Sequence, residues 1–263
     1  MRTDMYATVN GLRMYYEVHG RGDPLLLLHG GVSTIETSFS KILSVLAENH
    51  QVIAAEQQGH GRTADLDRPL SYEQMADDTA ALLRHLDPTS ADVLGYSNGA
   101  GLGLQLAVDH PALVRKLVMI TPAYHLGGFH PGFMDGLADL TAAALDGTIY
   151  QQAYAKIAPR PQDWPAFVQK TKIMDQAFTG WTAEQVRAIA APALVVVGDS
   201  DIVTPEHAVE LFRLFGGGAS GDEVGLPPSQ LAILPGTTHL SIMDRAAWLV
   251  PIVEEFLAVS PVK

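Results

Sequence analysis

An α/β architecture, a mostly parallel sheet with helices on both faces, is the fold class that this sequence predicts. Three observations predict it. Short, mostly apolar runs recur at strand length, helix-length windows alternate with them, and the polar residues of chemical interest follow the C-terminal ends of the runs. The first two elements, at 5–9 and 12–18, read as an antiparallel hairpin, because Asn10-Gly11 between them suits a type I′ turn. Buried strands follow at 25–28, 51–55, 91–95, 116–120, 193–197 and 230–234. Between and after them lie helices expected at 38–48, 71–86, 97–109, 205–215 and 244–258. Ser71-Tyr72-Glu73-Gln74 opens one with the spacing of a capping box, and Thr204-Pro205 gives another its N-cap and first position.

The alternation breaks between residues 124 and 190, which hold no convincing buried strand. This stretch is expected to be a helical cap inserted into a core made of residues 1–123 and 191–263. Its aromatics are Tyr124, Phe129, Phe133, Tyr150, Tyr154, Trp164, Phe167, Phe178 and Trp181. Most should pack the cap itself, and a few should face a mostly apolar pocket. Residues 215–228 are glycine-rich and are expected to be loop.

Gly95-Tyr96-Ser97-Asn98-Gly99 is the most informative motif. A serine with glycines two positions away on each side suits a sharp strand-to-helix turn that pushes its hydroxyl outward. A plain Gly-rich turn is the competing account, and partners decide between the two. A serine site on such a turn takes its groups in the chain order serine, acid, histidine. Of ten histidines, His239 alone follows the last strand-like run, on the loop after Leu234-Pro235-Gly236. Two carboxylates compete for the acid role in Gly198-Asp199-Ser200-Asp201. Asp201 is favoured because it lies further out on the loop, where it can reach the imidazole; Asp199 sits at the strand end, where an aspartate accepts backbone N–H bonds. An oxyanion hole needs two backbone N–H groups. Asn98, directly after the serine, supplies one, and Gly31 is the candidate for the other, since Leu25 to Leu28 reads as a buried strand running into His29-Gly30-Gly31. His29 itself reads as a hydrogen-bonding brace of that loop.

With these residues in order the chain resembles the α/β-hydrolase superfamily over nearly all of its 263 residues. Within it the chain looks most like the small cofactor-free group of carboxylesterases, enol-lactonases, carbon–carbon bond hydrolases and haloperoxidase-like perhydrolases. The resemblance implies an α/β-hydrolase fold and a Ser97-Asp201-His239 triad, with no metal and no organic cofactor. There are two departures. Glu56 stands where members commonly have Asp, which reads as an adjusted turn, and Asn98 stands where Met, Gln or another unbranched residue is common. A Gly-rich cofactor loop of the short-chain dehydrogenase kind is a poorer account of residues 95–101, which do not follow the first strand. Dehalogenases and epoxide hydrolases share the cap-plus-core layout but use an aspartate where Ser97 stands.

Composition narrows the partners. The formal charge of −12 argues against nucleic acid and against anionic membranes, and the absence of cysteine excludes disulfides and thiol catalysis. The N-terminal residues carry no long apolar signal region, so the cytoplasm is expected. The expected activity is serine-dependent hydrolysis of a small to medium, partly hydrophobic carboxylic ester or lactone through an acyl-enzyme, by a monomer or homodimer acting on a small-molecule acyl substrate. Carbon–carbon bond hydrolysis or perhydrolysis on the same triad is the alternative, and a ligand receptor of the same fold with little turnover is the alternative of another class.

Overall fold

The computed structural model describes residues 3–88 and 90–258; the outermost residues of the expected core, 1–2 and 259–263, lie outside these. Eight strands, β1 (Thr3–Val9), β2 (Leu12–His19), β3 (Asp23–Leu28), β4 (His50–Ala55), β5 (Ala91–Tyr96), β6 (Val114–Ile120), β7 (Ala193–Gly198) and β8 (Gln230–Leu234), form one sheet in the order β1-β2-β4-β3-β5-β6-β7-β8. Asn10 and Gly11 both take positive φ, 48° and 81°, which lets the β1–β2 hairpin close in two residues. β2 pairs antiparallel with β4, and every pairing from β4 to β8 is parallel.

The pleat of β3 shows how one apolar run feeds two cores. Leu26 and Leu28 belong to the cluster beneath helices α3 (Tyr72–Leu86), α4 (Asn98–Asp109) and α9 (Pro205–Leu214). Leu25 and Leu27 belong to the opposite cluster, with α1 (Ile35–Phe39), α2 (Leu43–Leu46) and α11 (Ala246–Ala258). No helix among the described residues is long and apolar enough to cross a membrane.

Three details differ from the sequence reading. The helix expected at 38–48 is two short ones. Thr34 and Thr37 start the first early by capping each other, and the chain breaks before Leu43, where Ile42 has a φ of −119°. The strand β8 is only partly buried, with Ile233 exposed, because it is the edge of the sheet. The loop at 215–228 contains a single helical turn, α10 (Gly221–Val224), with Asp222 and Glu223 at its positive end and Gly225 leaving it at a φ of 84°.

Between β6 and β7 the chain is helical: α5 (Phe133–Ala138), α6 (Ile149–Ile157), α7 (Trp164–Ala177) and α8 (Ala183–Arg187), joined by 3₁₀ turns. One isolated bridge, Phe129 to Val203, ties its start to the loop after β7. Polar contacts fasten this segment to the rest: Trp181 Nε1 donates to Gln105 Oε1 at 2.7 Å, Tyr124 Oη to Glu210 Oε1 at 2.7 Å, and Lys170 Nζ to Asp65 Oδ2 at 2.6 Å.

Candidate active site

Ser97 sits at the apex of the turn from β5 into α4, with φ 55° and ψ −121°, a conformation that costs energy for any residue with a Cβ. The flanking glycines make the turn possible. A Cβ on Gly95 would lie 2.1 Å from the carbonyl oxygen of Gly99, and one on Gly99 would lie 2.0 Å from that of Leu28. The turn is anchored where Ser97 N–H donates to the Ile120 carbonyl at 2.9 Å.

The three residues of the expected triad meet. Ser97 Oγ is 2.8 Å from His239 Nε2, and His239 Nδ1 is 2.8 Å from Asp201 Oδ1. In the neutral tautomer that fits both contacts, Nδ1–H donates to the carboxylate and Nε2 accepts the serine hydroxyl. Asp201 is buried; its Oδ1 also accepts the Val203 N–H at 3.1 Å, and its Oδ2 has no partner among the described residues. Asp199 does something else. It is exposed, and its oxygens accept the N–H groups of Gly236 at 2.9 Å and Thr237 at 3.1 Å, bonds that hold its pKa below the ordinary value. It thereby pins the loop that leads to His239. Gly198 packs against the same loop, since a Cβ there would lie 2.1 Å from the Thr237 carbonyl oxygen.

Gly31 and Asn98 come together beside the serine, and both line the same cavity. A Cβ on Gly31 would lie 2.8 Å from Asn98 Nδ2, so the asparagine amide occupies the space that a side chain at 31 would need. Among the described residues neither the Gly31 N–H nor the Asn98 N–H makes a hydrogen bond, which leaves both available as donors. The Asn98 side chain is engaged elsewhere: its Nδ2 donates to Asp175 Oδ1 on α7 at 3.1 Å.

Buried braces hold the Gly31 loop. His29 Nδ1 donates to the Gly30 carbonyl at 2.9 Å and its Nε2 accepts the Gln57 N–H at 3.1 Å; burial lowers its pKa to about 4, so the ring is neutral. Glu56 accepts the Arg62 N–H at 2.6 Å and the Ile35 N–H at 3.4 Å, and pairs with the Arg62 guanidinium at 3.2 Å. Desolvation nonetheless raises its pKa to about 7. The carboxylate fits only because Gly61, at a φ of 52°, has no Cβ to meet it. Tyr96, which sequence reasoning passed over, donates its hydroxyl to the His239 carbonyl at 3.0 Å.

Above Ser97 is a cavity of about 430 Å³. Its floor is Ser97, Asn98, Gly31 and His239, and most of its wall comes from the helical segment. Of that segment's aromatics, Phe129, Phe133, Tyr150 and Phe178 line the cavity, while Tyr124, Tyr154, Trp164, Phe167 and Trp181 are buried in packing. One cluster away from the cavity, His125, His207 and Glu210, has ligand atoms within 4.8 Å of one another. Its nitrogens are already assigned, because His125 Nδ1 accepts the Gly127 N–H and His207 Nε2 accepts the Tyr124 N–H, each at 3.0 Å. The remaining ring N–H groups are turned toward Glu210 at 3.7 Å and 3.8 Å, an arrangement that ties loop to helix rather than offering lone pairs to a metal.

A strained serine at a strand-to-helix turn thus meets a histidine on the loop after the last strand, and that histidine joins it to a buried carboxylate at the C-terminal end of the parallel sheet. The sequence matches the alpha/beta hydrolase fold over residues 23–246, and the chain belongs to that family. A 2-hydroxymuconate semialdehyde hydrolase from Pseudomonas sp. strain CF600 is 26% identical over 269 residues, covering 94% of this chain and 91% of the relative. The fold is also that of the enol-lactonase from Burkholderia xenovorans LB400, with a TM-score of 0.74 at 19% identity over 97% of this chain and 100% of that one. It is likewise that of the carboxylesterase CesB (YbfK) from Bacillus subtilis, with a TM-score of 0.75 at 18% identity over 99% and 93% of the two chains.

Proposed function

We propose that this hydrolase cleaves a small to medium, partly hydrophobic carboxylic ester or lactone through an acyl-enzyme on Ser97. The observation that carries this reading is the hydrogen-bonded line Asp201–His239–Ser97, 2.8 Å at each contact, opening into a mostly apolar cavity. His239 Nε2 takes the Ser97 proton as Oγ bonds to the substrate carbonyl carbon, and Asp201 holds the resulting imidazolium through Nδ1–H. The carbonyl oxygen, now an oxyanion, accepts the N–H groups of Asn98 and Gly31. His239 then protonates the leaving alcohol as the carbon–oxygen bond breaks. In the second half it takes a proton from water, which attacks the acyl group and releases the carboxylic acid and free Ser97. Residues 124–190 act as a cap over the core, confining the acyl chain.

The test is a panel of p-nitrophenyl esters of graded chain length, with a lactone and a vinylogous diketone alongside, run on wild type and S97A. Short to medium esters or the lactone should turn over in the wild type, and S97A should lose at least a thousandfold in kcat. Turnover of the diketone alone would move the assignment to carbon–carbon bond hydrolysis. Unchanged ester hydrolysis by S97A would overturn it.

A further inference from the structure

Asp175 has no part in the proposed relay, yet it stands in the wall of the same cavity. It lies on the face of α7 that carries the buried residues Phe167, Val168, Thr171 and Met174, where a carboxylate is costly unless it has a use. One oxygen accepts the Asn98 amide at 3.1 Å. The other makes no hydrogen bond among the described residues and is not fully buried, and the residue lines the cavity. Asp175 is the only carboxylate among the lining residues. Lys172, one turn earlier on α7, lines the cavity as well, but its ammonium is held by the carbonyls of Ala138 and Leu140 at 3.2 Å and 3.1 Å and makes no ion pair with Asp175 among the described residues. Burial accordingly raises the Asp175 pKa to about 7, against the smaller opposite effect of the Asn98 bond.

Tyr72 and Phe178 are two of the aromatic residues that line the cavity with it. Tyr72 and Phe178 have ring centroids 5.6 Å apart, and Trp181 packs against both at 5.5 Å and 5.3 Å. Both the burial of the Tyr72 hydroxyl and the charge of Asp175 raise its pKa well above the ordinary value, so it stays a neutral phenol. A carboxylate with no ion pair beside aromatic faces is the chemistry that takes up an ammonium group. An anionic group there would meet repulsion, and the net charge of −12 favours approach of cations.

We propose that Asp175, Tyr72 and Phe178 form a subsite for an ammonium or substituted ammonium group carried by the acyl substrate. The proposal rests on the serine-hydrolase reading above and names its substrate class. An ammonium in the subsite favours the ionised carboxyl, so KM for a cationic ester falls relative to that of its neutral isostere as pH rises through about 7, a comparison in which His239, Lys172 and Tyr72, which line the same cavity, act on both members alike.

The experiment compares two isosteric pairs of p-nitrophenyl esters, 6-aminohexanoate against heptanoate and 4-(trimethylammonio)butanoate against 5,5-dimethylhexanoate, on wild type and D175N. Asparagine at 175 can still accept from Asn98 through its oxygen but turns an uncharged amide to the cavity. The wild type should prefer the cationic member of at least one pair in kcat/KM by about tenfold, and D175N should lose that preference. A cationic-to-neutral ratio that is the same in both proteins, or a wild-type preference for the neutral esters, would overturn the subsite. The rate of labelling by a fluorophosphonate separates the two claims. Equal labelling of both proteins with an unchanged ratio removes the subsite alone. No labelling of the wild type removes the serine-hydrolase reading, and calorimetric titration of 6-aminohexanamide then decides the subsite by itself: tighter binding to wild type than to D175N supports it, and equal binding overturns it.

Discussion

Two regions supply polar groups to the cavity, and they hold them by different means. The turns after β3, β5, β7 and β8 are fixed by backbone. A Cβ on Gly95, Gly99 or Gly198 would lie 2.0–2.1 Å from a carbonyl oxygen, and Asp199, His29 and Glu56 spend their side chains on N–H groups of neighbouring loops. Helix α7 instead presents side chains from a regular surface. Asp175 faces the cavity because of its position in the helical repeat, and a different residue there would leave the backbone unchanged. The difference teaches where each property of the molecule resides: the reacting geometry tolerates almost no variation, and selection among substrates can be altered one side chain at a time.

The largest effect that would sharpen this contrast is expected at the two aspartates of one loop. D201N should lower kcat by about three to four orders of magnitude, because the amide no longer holds the tautomer that accepts the serine proton. D199N, which weakens only the turn at Gly236 and Thr237, should cost about tenfold or less. Steady-state kinetics on both variants check this; a greater loss in D199N would reverse the assignment of the acid. A smaller effect is expected from G31A. Its methyl would lie 2.8 Å from Asn98 Nδ2, so the amide must move and the loop with it, and kcat should fall about tenfold to a hundredfold with KM little changed. G31A kinetics equal to wild type would show that the Asn98 amide yields to the methyl without moving the loop.

The smallest effect concerns stability rather than turnover, and it probes the braces alone. The Glu56 carboxyl has a pKa raised from 4.5 to about 7 in the folded protein, so its contribution to stability is fully present below 4.5 and is lost as pH rises through about 7. The Tm of E56Q relative to wild type should therefore increase by about 5–10 °C between pH 5 and pH 8. A Tm difference independent of pH over that range would mean that the Arg62 contacts keep Glu56 ionised throughout.

Much of the core was legible in the sequence because its signals are local. The runs at 25–28 and 193–197 are apolar on both faces, as strands covered by helices on both sides must be, and the elbow glycines can be read without knowing what they pack against. The order of Ser97, Asp201 and His239 along the chain could be read, but the choice between Asp199 and Asp201 could not be closed. Both occupy one loop, and what distinguishes them is the position of the Gly236 and Thr237 N–H groups nearly forty residues away. The partition of the cap aromatics was illegible for a similar reason, since Phe167 packs within α7 while Phe178 lies just past its end in extended backbone, where it meets the cavity. Asp175 did leave a trace: a carboxylate eight residues after Phe167 and four after Thr171 lies on the apolar stripe of a helix, where a solvated face would not put it. The helix at 38–48 went wrong because its break depends on the local backbone at Ile42 rather than on apolar spacing.

The central claim is that Ser97, and no other residue, is activated as a nucleophile by His239. It is tested most directly by treating the wild type and H239A with a fluorophosphonate and mapping the adduct by peptide mass spectrometry. One adduct per wild-type chain, on Ser97, with labelling of H239A slowed at least a hundredfold, is the predicted result. Labelling of Ser97 at the same rate in both proteins, or an adduct on a different serine, would contradict it.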